Sequence, residues 1–191
     1  MKKGLIVFLL ICTAFPAAAF AQSKVGVAPG FLLATVEDPD GDADSYSGLL
    51  PLSLVFSHDL SNKTRIYSTF SYFSFDLDAG TDKIGQDISG YELAATWQRI
   101  FKLGYELHFF AGIGFGYTNA DFTKRHTVDE DGYLARRYED RSEGYLSIIG
   151  NISKEWEVTD IIDVGFNLSY KHALSDGVSG FNGAVTVMYK F

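Results

Sequence analysis

From residue 24 onward, apolar and polar side chains alternate along the chain in runs of ten or more residues. Period-two alternation puts the two residue classes on opposite faces of a strand. In the last run Phe181, Val185, Val187, Tyr189 and Phe191 share one face, and Asn182, Ala184, Thr186 and Lys190 the other. The run before it sets Ile162, Val164, Phe166, Leu168 and Tyr170 against Asp163, Gly165, Asn167, Ser169 and Lys171. The pattern predicts strands over 24–36, 46–58, 63–76, 88–100, 104–122, 141–154, 161–173 and 180–191. That is eight, and an even number suits a closed antiparallel barrel.

The gaps alternate in character. Those at 37–45, 77–87 and 123–140 are long, polar and mostly acidic and are expected outside the cell, whereas 59–62, 101–103 and 155–160 have the length of hairpin turns. Only 174–179 breaks the parity, being short where a long connection is due. Tyrosines at 46, 91, 105, 117, 145, 170 and 189, with Trp97 and Phe191, fall near strand ends. Two aromatic girdles around an apolar band are the mark of a barrel in lipid. A backbone in lipid must be fully paired, so the sheet has to close. The expected fold is all-β: an eight-stranded, up-and-down antiparallel transmembrane β-barrel. No apolar run past the first twenty-odd residues is long enough for a membrane helix.

The N-terminal segment changes this picture only by subtraction. Lys2 and Lys3, the apolar stretch Leu5–Cys12 and Ala19-Phe20-Ala21 form the pattern of a cleaved secretory signal. The expected division is a signal over 1–21 and a barrel over 22–191. Cys12 is the single cysteine, so the mature chain has no disulfide. Loss of Lys2 and Lys3 takes the formal charge from -8 to -10, and no basic patch supports nucleic-acid binding.

Gly90-Tyr91-Glu92-Leu93, Gly104-Tyr105-Glu106-Leu107, Ala111-Gly112-Ile113-Gly114-Phe115-Gly116-Tyr117 and the terminal Val185–Phe191 run resemble the strands of a known group. It is the small outer-membrane β-barrel family that includes the OmpA transmembrane domain, OmpX and OmpW-type proteins. The resemblance implies location in the outer membrane of a Gram-negative cell. It implies contact with outer-membrane lipids and lipopolysaccharide, and handling by periplasmic chaperones and the barrel assembly machinery. It makes Val185, Val187, Tyr189 and Phe191 the assembly signal. No periplasmic domain is expected after Phe191. The family includes anchors, adhesins, small-solute conduits and a few lipid-modifying enzymes, and fold does not choose among them.

The polar face becomes the barrel interior, where Arg65, Glu92, Glu106, His108, Asp163, Lys171 and Lys190 are expected. A barrel of this strand number is only wide enough to be filled by side chains. Its interior charges must therefore be paired. The favoured reading is a monomeric barrel with a structural or surface-interaction role, meeting an extracellular ligand or host surface. The alternative is a porin-like minor channel, or a lateral conduit for small hydrophobic molecules. Asp38, Asp40, Asp42 and Asp44 have part of a calcium-loop spacing and suggest weak cation contact without a resident metal. The 123–140 loop offers Lys124, Arg125, His126, Arg136, Arg137 and, just beyond it, Arg141 for anionic lipid phosphates or a partner. His172 and Ser175 faintly resemble the His/Ser site of outer-membrane lipid A deacylases. Their odd spacing sends them to opposite strand faces, and Asp176 stands where that site has asparagine. No catalysis and no cofactor are expected.

Overall fold

The computed structural model describes residues 22–103 and 107–191, without the side chains at 42–44, 50, 51, 103 and 107. The signal expected over 1–21 and the interior position expected for Glu106 lie outside the described residues. The strands are β1 (Ser23–Asp38), β2 (Gly41–Ser61), β3 (Thr64–Leu77), β4 (Lys83–Leu103), β5 (Leu107–Val128), β6 (Leu134–Arg137), β7 (Arg141–Thr159), β8 (Ile162–Ala173) and β9 (Val178–Lys190). Long strands pair antiparallel with their neighbours, β5 with β7, and β9 returns to β1, with Lys24 opposite Lys190 and Val36 opposite Val178. The sheet therefore closes.

Two features correct the expected topology. The sheet has nine strands among the described residues, not eight. The additional one, β6, lies within the span expected to be the 123–140 loop and pairs only with β5. Its turn is built by Asp129, whose carboxylate accepts from the amides of Asp131 (3.1 Å) and Tyr133 (2.8 Å). Gly132 supplies the positive φ of 82° that this turn needs. The pairing is also not purely up-and-down: Asp42 and Ala43 of β2 run parallel to Lys83 and Ile84 of β4.

The expected 37–45 loop is mostly strand. β1 and β2 stay paired out to Asp38 opposite Gly41, through register shifts between Ala28 and Gly30 and between Thr35 and Glu37, leaving a turn at Pro39 and Asp40. Strands β4 and β5 reach 21 and 22 residues, about twice the 9–11 that cross a bilayer. The upper halves therefore stand beyond the membrane, at the end away from the short turns.

The meaning of the alternation reverses along these strands. In the lower half the outward face is apolar, with Leu54, Trp97, Ile113, Ile152, Leu168 and Val187 exposed, while Arg65, Gln98, Ser153 and Asp163 are buried inside. In the upper half the inward face is apolar: Ala34, Val36, Phe75, Leu77, Ile88, Ala120, Phe122 and Val178 form one buried cluster. Their outward neighbours there are polar, including Glu37, Asp76 and Asp121. Lipid on the outside favours the first arrangement and water the second. The change of sign marks the level at which the barrel leaves the membrane.

One seam is incomplete. Among the described residues the β2–β3 ladder runs from Ser61–Thr64 up to Leu54–Phe70 and no further. Above it, Ser71–Leu77 pair with β4 alone. Side chains bridge the seam instead. Ser53 and Ser71 hydroxyls lie 2.8 Å apart, and the Tyr46 and Phe75 rings stack at 4.4 Å.

Candidate functional site

Positions at the short-turn end of β1, β3 and β7–β9 bring six charges together, with Gln98 of β4 beside them. Arg65 is fully buried. Its Nε donates to Gln98 Oε1 (2.5 Å), its Nη2 to Ser153 Oγ (2.8 Å) and its Nη1 to Glu155. The guanidinium also lies over the Phe110 ring, 3.8 Å from its centroid. Glu155 accepts a second bond from Lys24 Nζ (2.7 Å), which also reaches Asp163 (2.8 Å). Lys190 Nζ lies 3.1 Å from Asp163 and from Glu157. Three cations thus alternate with three carboxylates, so that no buried charge stands alone. The arrangement follows from strand parity: residues 24, 65, 155, 163 and 190 all fall on inward positions.

A second pair sits higher. Lys171 Nζ is 2.5 Å from Glu92, which also accepts from Thr118 Oγ1 (3.1 Å). This pair borders a cavity of about 70 Å³ between the charged layer and the apolar cluster. Such a space holds a few waters and no larger ligand. Asn151 and Thr96, also on its wall, hydrogen-bond at 3.1 Å.

Of the interior residues named from sequence, Arg65, Asp163 and Lys190 lie in the lower layer and Glu92 and Lys171 at the cavity. His108 is exposed on the short-turn rim. Lys24 and Glu155 were missed. The sequence pattern predicts a turn at Glu155, whereas β7 continues through it to Thr159; the alternation from Ser153 simply continues.

At the opposite mouth, Arg125 ties three segments together. It donates to Asp38 Oδ1, Asp40 Oδ2 and the Glu139 carbonyl, each at 2.6 Å. Burial works against its charge, but the bonds it donates to Asp40 and Asp38 more than offset this and hold its pKa above the usual arginine value. Arg141 pairs with Glu143, approaches Asp38 (3.5 Å) and lies over the Phe122 ring at 4.1 Å. Asp38 and Asp40 therefore face arginine rather than each other across an open loop. The side chains of Asp42 and Asp44 are outside the described residues. Above this latch, β5 and β6 project as a hairpin on which Tyr133, Leu134, Arg136 and Arg137 are exposed.

Val185, Val187 and Tyr189 face outward on β9, and Phe191 is exposed just past its end. His172 is exposed on β8 and Ser175 is exposed beyond that strand. Among the described residues no group of three or more His, Cys, Asp and Glu is placed to hold a metal.

No protein-family model and no curated protein matches the chain. Among solved structures it is similar to OprG of Pseudomonas aeruginosa, at 14% identity and a TM-score of 0.58 over 90% of this chain and 95% of that one. It is also similar to Neisserial surface protein A, at 14% identity and 0.55 over 90% and 97%. A third is Ail, the attachment invasion locus protein of Yersinia pestis, at 15% identity and 0.52 over 90% and 97%. At such identities the likeness is one of fold. The sequence-based assignment to an eight-stranded family is corrected accordingly: the resemblance is to barrels of the Ail, Neisserial surface protein A and OprG kind, and the strand count differs. With its closed sheet and apolar outer wall, the chain is a β-barrel of the outer membrane.

Proposed function

We propose that this barrel is a non-catalytic surface-presenting protein, oriented with its short turns in the periplasm and the β5–β6 hairpin outside the cell. The observation that carries this reading is the contrast between its two ends. The lumen is filled by a paired ionic layer below and an apolar cluster above. The strands nevertheless continue past the membrane to build a latched, rigid cap. A cap of this kind supports a binding surface better than a pore.

The exposed β6 carries Arg136 and Arg137, with the Arg136 guanidinium 4.7 Å from the Tyr138 ring centroid, while Lys124 at the root of the hairpin is paired with Asp87. This chemistry suits an anionic partner such as lipopolysaccharide phosphate or a sulfated host polymer. Ail, of similar fold, has been seen in complex with the heparin analogue sucrose octasulfate. The test is retention of the detergent-solubilised barrel on immobilised heparin, beside Arg136→Ser/Arg137→Ser. Weaker retention of the variant is expected; equal elution of both would sink the reading.

A second reading rests on the β2–β3 seam. Its unpaired edge at Ser71–Leu77 adjoins the cavity wall at Ser53, Ser71 and Phe73. Opening of the Ser53–Ser71 and Tyr46–Phe75 bridges would connect that cavity sideways to the membrane surface. A Tyr46→Cys/Phe75→Cys disulfide should then block uptake of a small apolar dye by cells. Unchanged uptake would remove this reading.

A further inference from the structure

The outer wall on the side of β5, β7, β8, β9 and β1 is not evenly covered. Ala111, Gly150 and Gly183 all face outward there, beneath larger neighbours. Gly150 stands across the ladders from Ile113 and Tyr170, and Gly183 from Phe31 and Leu168. The small floor and tall rim leave a groove of about 670 Å³, walled by Phe31, Leu168, Tyr170 and Phe181. Tyr170 and Phe181 pack together at 4.7 Å and close one side. A Cβ at Gly150 would meet no atom within 4 Å, so the floor is open space rather than a close backbone approach.

The end of this groove toward the short turns is cationic. Arg99 is exposed and stands directly across the β4–β5 ladder from Ala111. Lys154 follows Ile152 by one outward position on β7, with its Nζ 5.2 Å from the centre of the Trp156 ring. Neither has a carboxylate partner among the described residues. An outward-facing cation at the edge of an apolar wall is costly unless it reaches headgroups, and two of them flank one groove.

We infer that this groove holds one anionic phospholipid of the leaflet at the short-turn end, its phosphate between Arg99 and Lys154 and one acyl chain over Ala111, Gly150 and Gly183. Apolar walls select a chain, and the two cations select the headgroup charge. A second copy of the barrel fits less well, because pairing two such faces at one membrane level would set Arg99 and Lys154 of both copies together with no counter-charge between them. The inference goes beyond the proposed surface role and does not depend on the hairpin.

The test is native mass spectrometry of the folded full-length barrel from mild detergent, titrated with phosphatidylglycerol and with phosphatidylethanolamine. Arg99→Gln and Lys154→Gln should each lower the phosphatidylglycerol adduct about fivefold, from the typical contribution of one basic residue near anionic lipid. They should lower the weaker phosphatidylethanolamine adduct less, because its own ammonium already offsets the phosphate charge. Gly150→Leu should reduce both adducts, and a heat-shifted gel band checks that each variant is folded. Equal retention of the two lipids by the unmodified protein would overturn the headgroup assignment. Unchanged adducts on folded Gly150→Leu would overturn the chain site, and a dimer peak lost in Gly150→Leu would assign the groove to self-association.

Discussion

Replacing Glu155 with glutamine removes one negative charge from the centre of the lower ionic layer. Arg65, with no exposed surface, would then have no carboxylate in direct contact and only the longer-range attraction of Asp59, its cross-strand neighbour on β2, while Lys24 would keep Asp163. Breaking a buried pair by removing one partner costs roughly 3–5 kcal/mol, because the surviving charge stays desolvated. Here Arg65 retains Gln98, Ser153 and the Phe110 face. The loss should therefore lie at the lower end, about 3 kcal/mol. Arg65→Met/Glu155→Leu should recover much of it, since an apolar pair of similar volume often matches a buried ion pair. The assay is equilibrium urea unfolding of the refolded barrel in lipid vesicles. Trp97 and Trp156, both on the outer wall, report departure from lipid through their fluorescence. A loss below about 1 kcal/mol for the single variant, or a double variant as unstable as the sum of its singles, would refute the paired-charge account.

Other consequences can be checked in the same preparations. Glu92→Gln leaves Lys171 without its carboxylate and should lower the unfolding midpoint, with a cost of about 2 kcal/mol given partial exposure of the pair; an unchanged midpoint would contradict this. Planar-bilayer recordings of the unmodified barrel should stay near baseline, and large steady conductance would defeat the filled lumen. Arg125→Gln should speed proteolysis near the Pro39 turn and the 129–133 tip in intact cells without altering resistance at 59–62; equal cleavage would mean the latch does not order the cap. Deleting Phe191 should reduce the folded fraction in cells while refolding in detergent stays normal, and normal cellular assembly would exclude a terminal signal. The intact mass from the membrane should match a chain beginning at Gln22.

The membrane half of this barrel was readable because lipid outside and a narrow lumen inside impose one rule on every strand. Period two then put Arg65, Asp163 and Lys190 indoors without any knowledge of register. The cap was not readable in the same way. Phe73, Phe75 and Leu77 continue the inward parity of Arg65, yet they are apolar, because water replaces lipid on the other face. Nothing in the alternation itself announces that exchange. The β6 segment escaped notice because Leu134–Arg137 is four residues long and exposed throughout, too short to show a period. Partner choice within the ionic layer depends on stagger between strands, which a single sequence does not contain. The pairing of Lys24 and Glu155 with Arg65 and Asp163 is therefore visible only in the closed sheet.

The apolar cluster of the cap has a consequence for how the protein enters its membrane. In the orientation proposed above, its side chains meet once the strand tips have crossed to the far side. Burial of Phe75, Leu77, Ile88, Phe122 and Val178 then releases on the order of 10 kcal/mol before chain ordering is charged against it. Sliding back would require that cluster to come apart in water. Condensation of the cap therefore works as a ratchet: each tip that emerges is captured by those already there, and the direction of insertion is set by where the core can form.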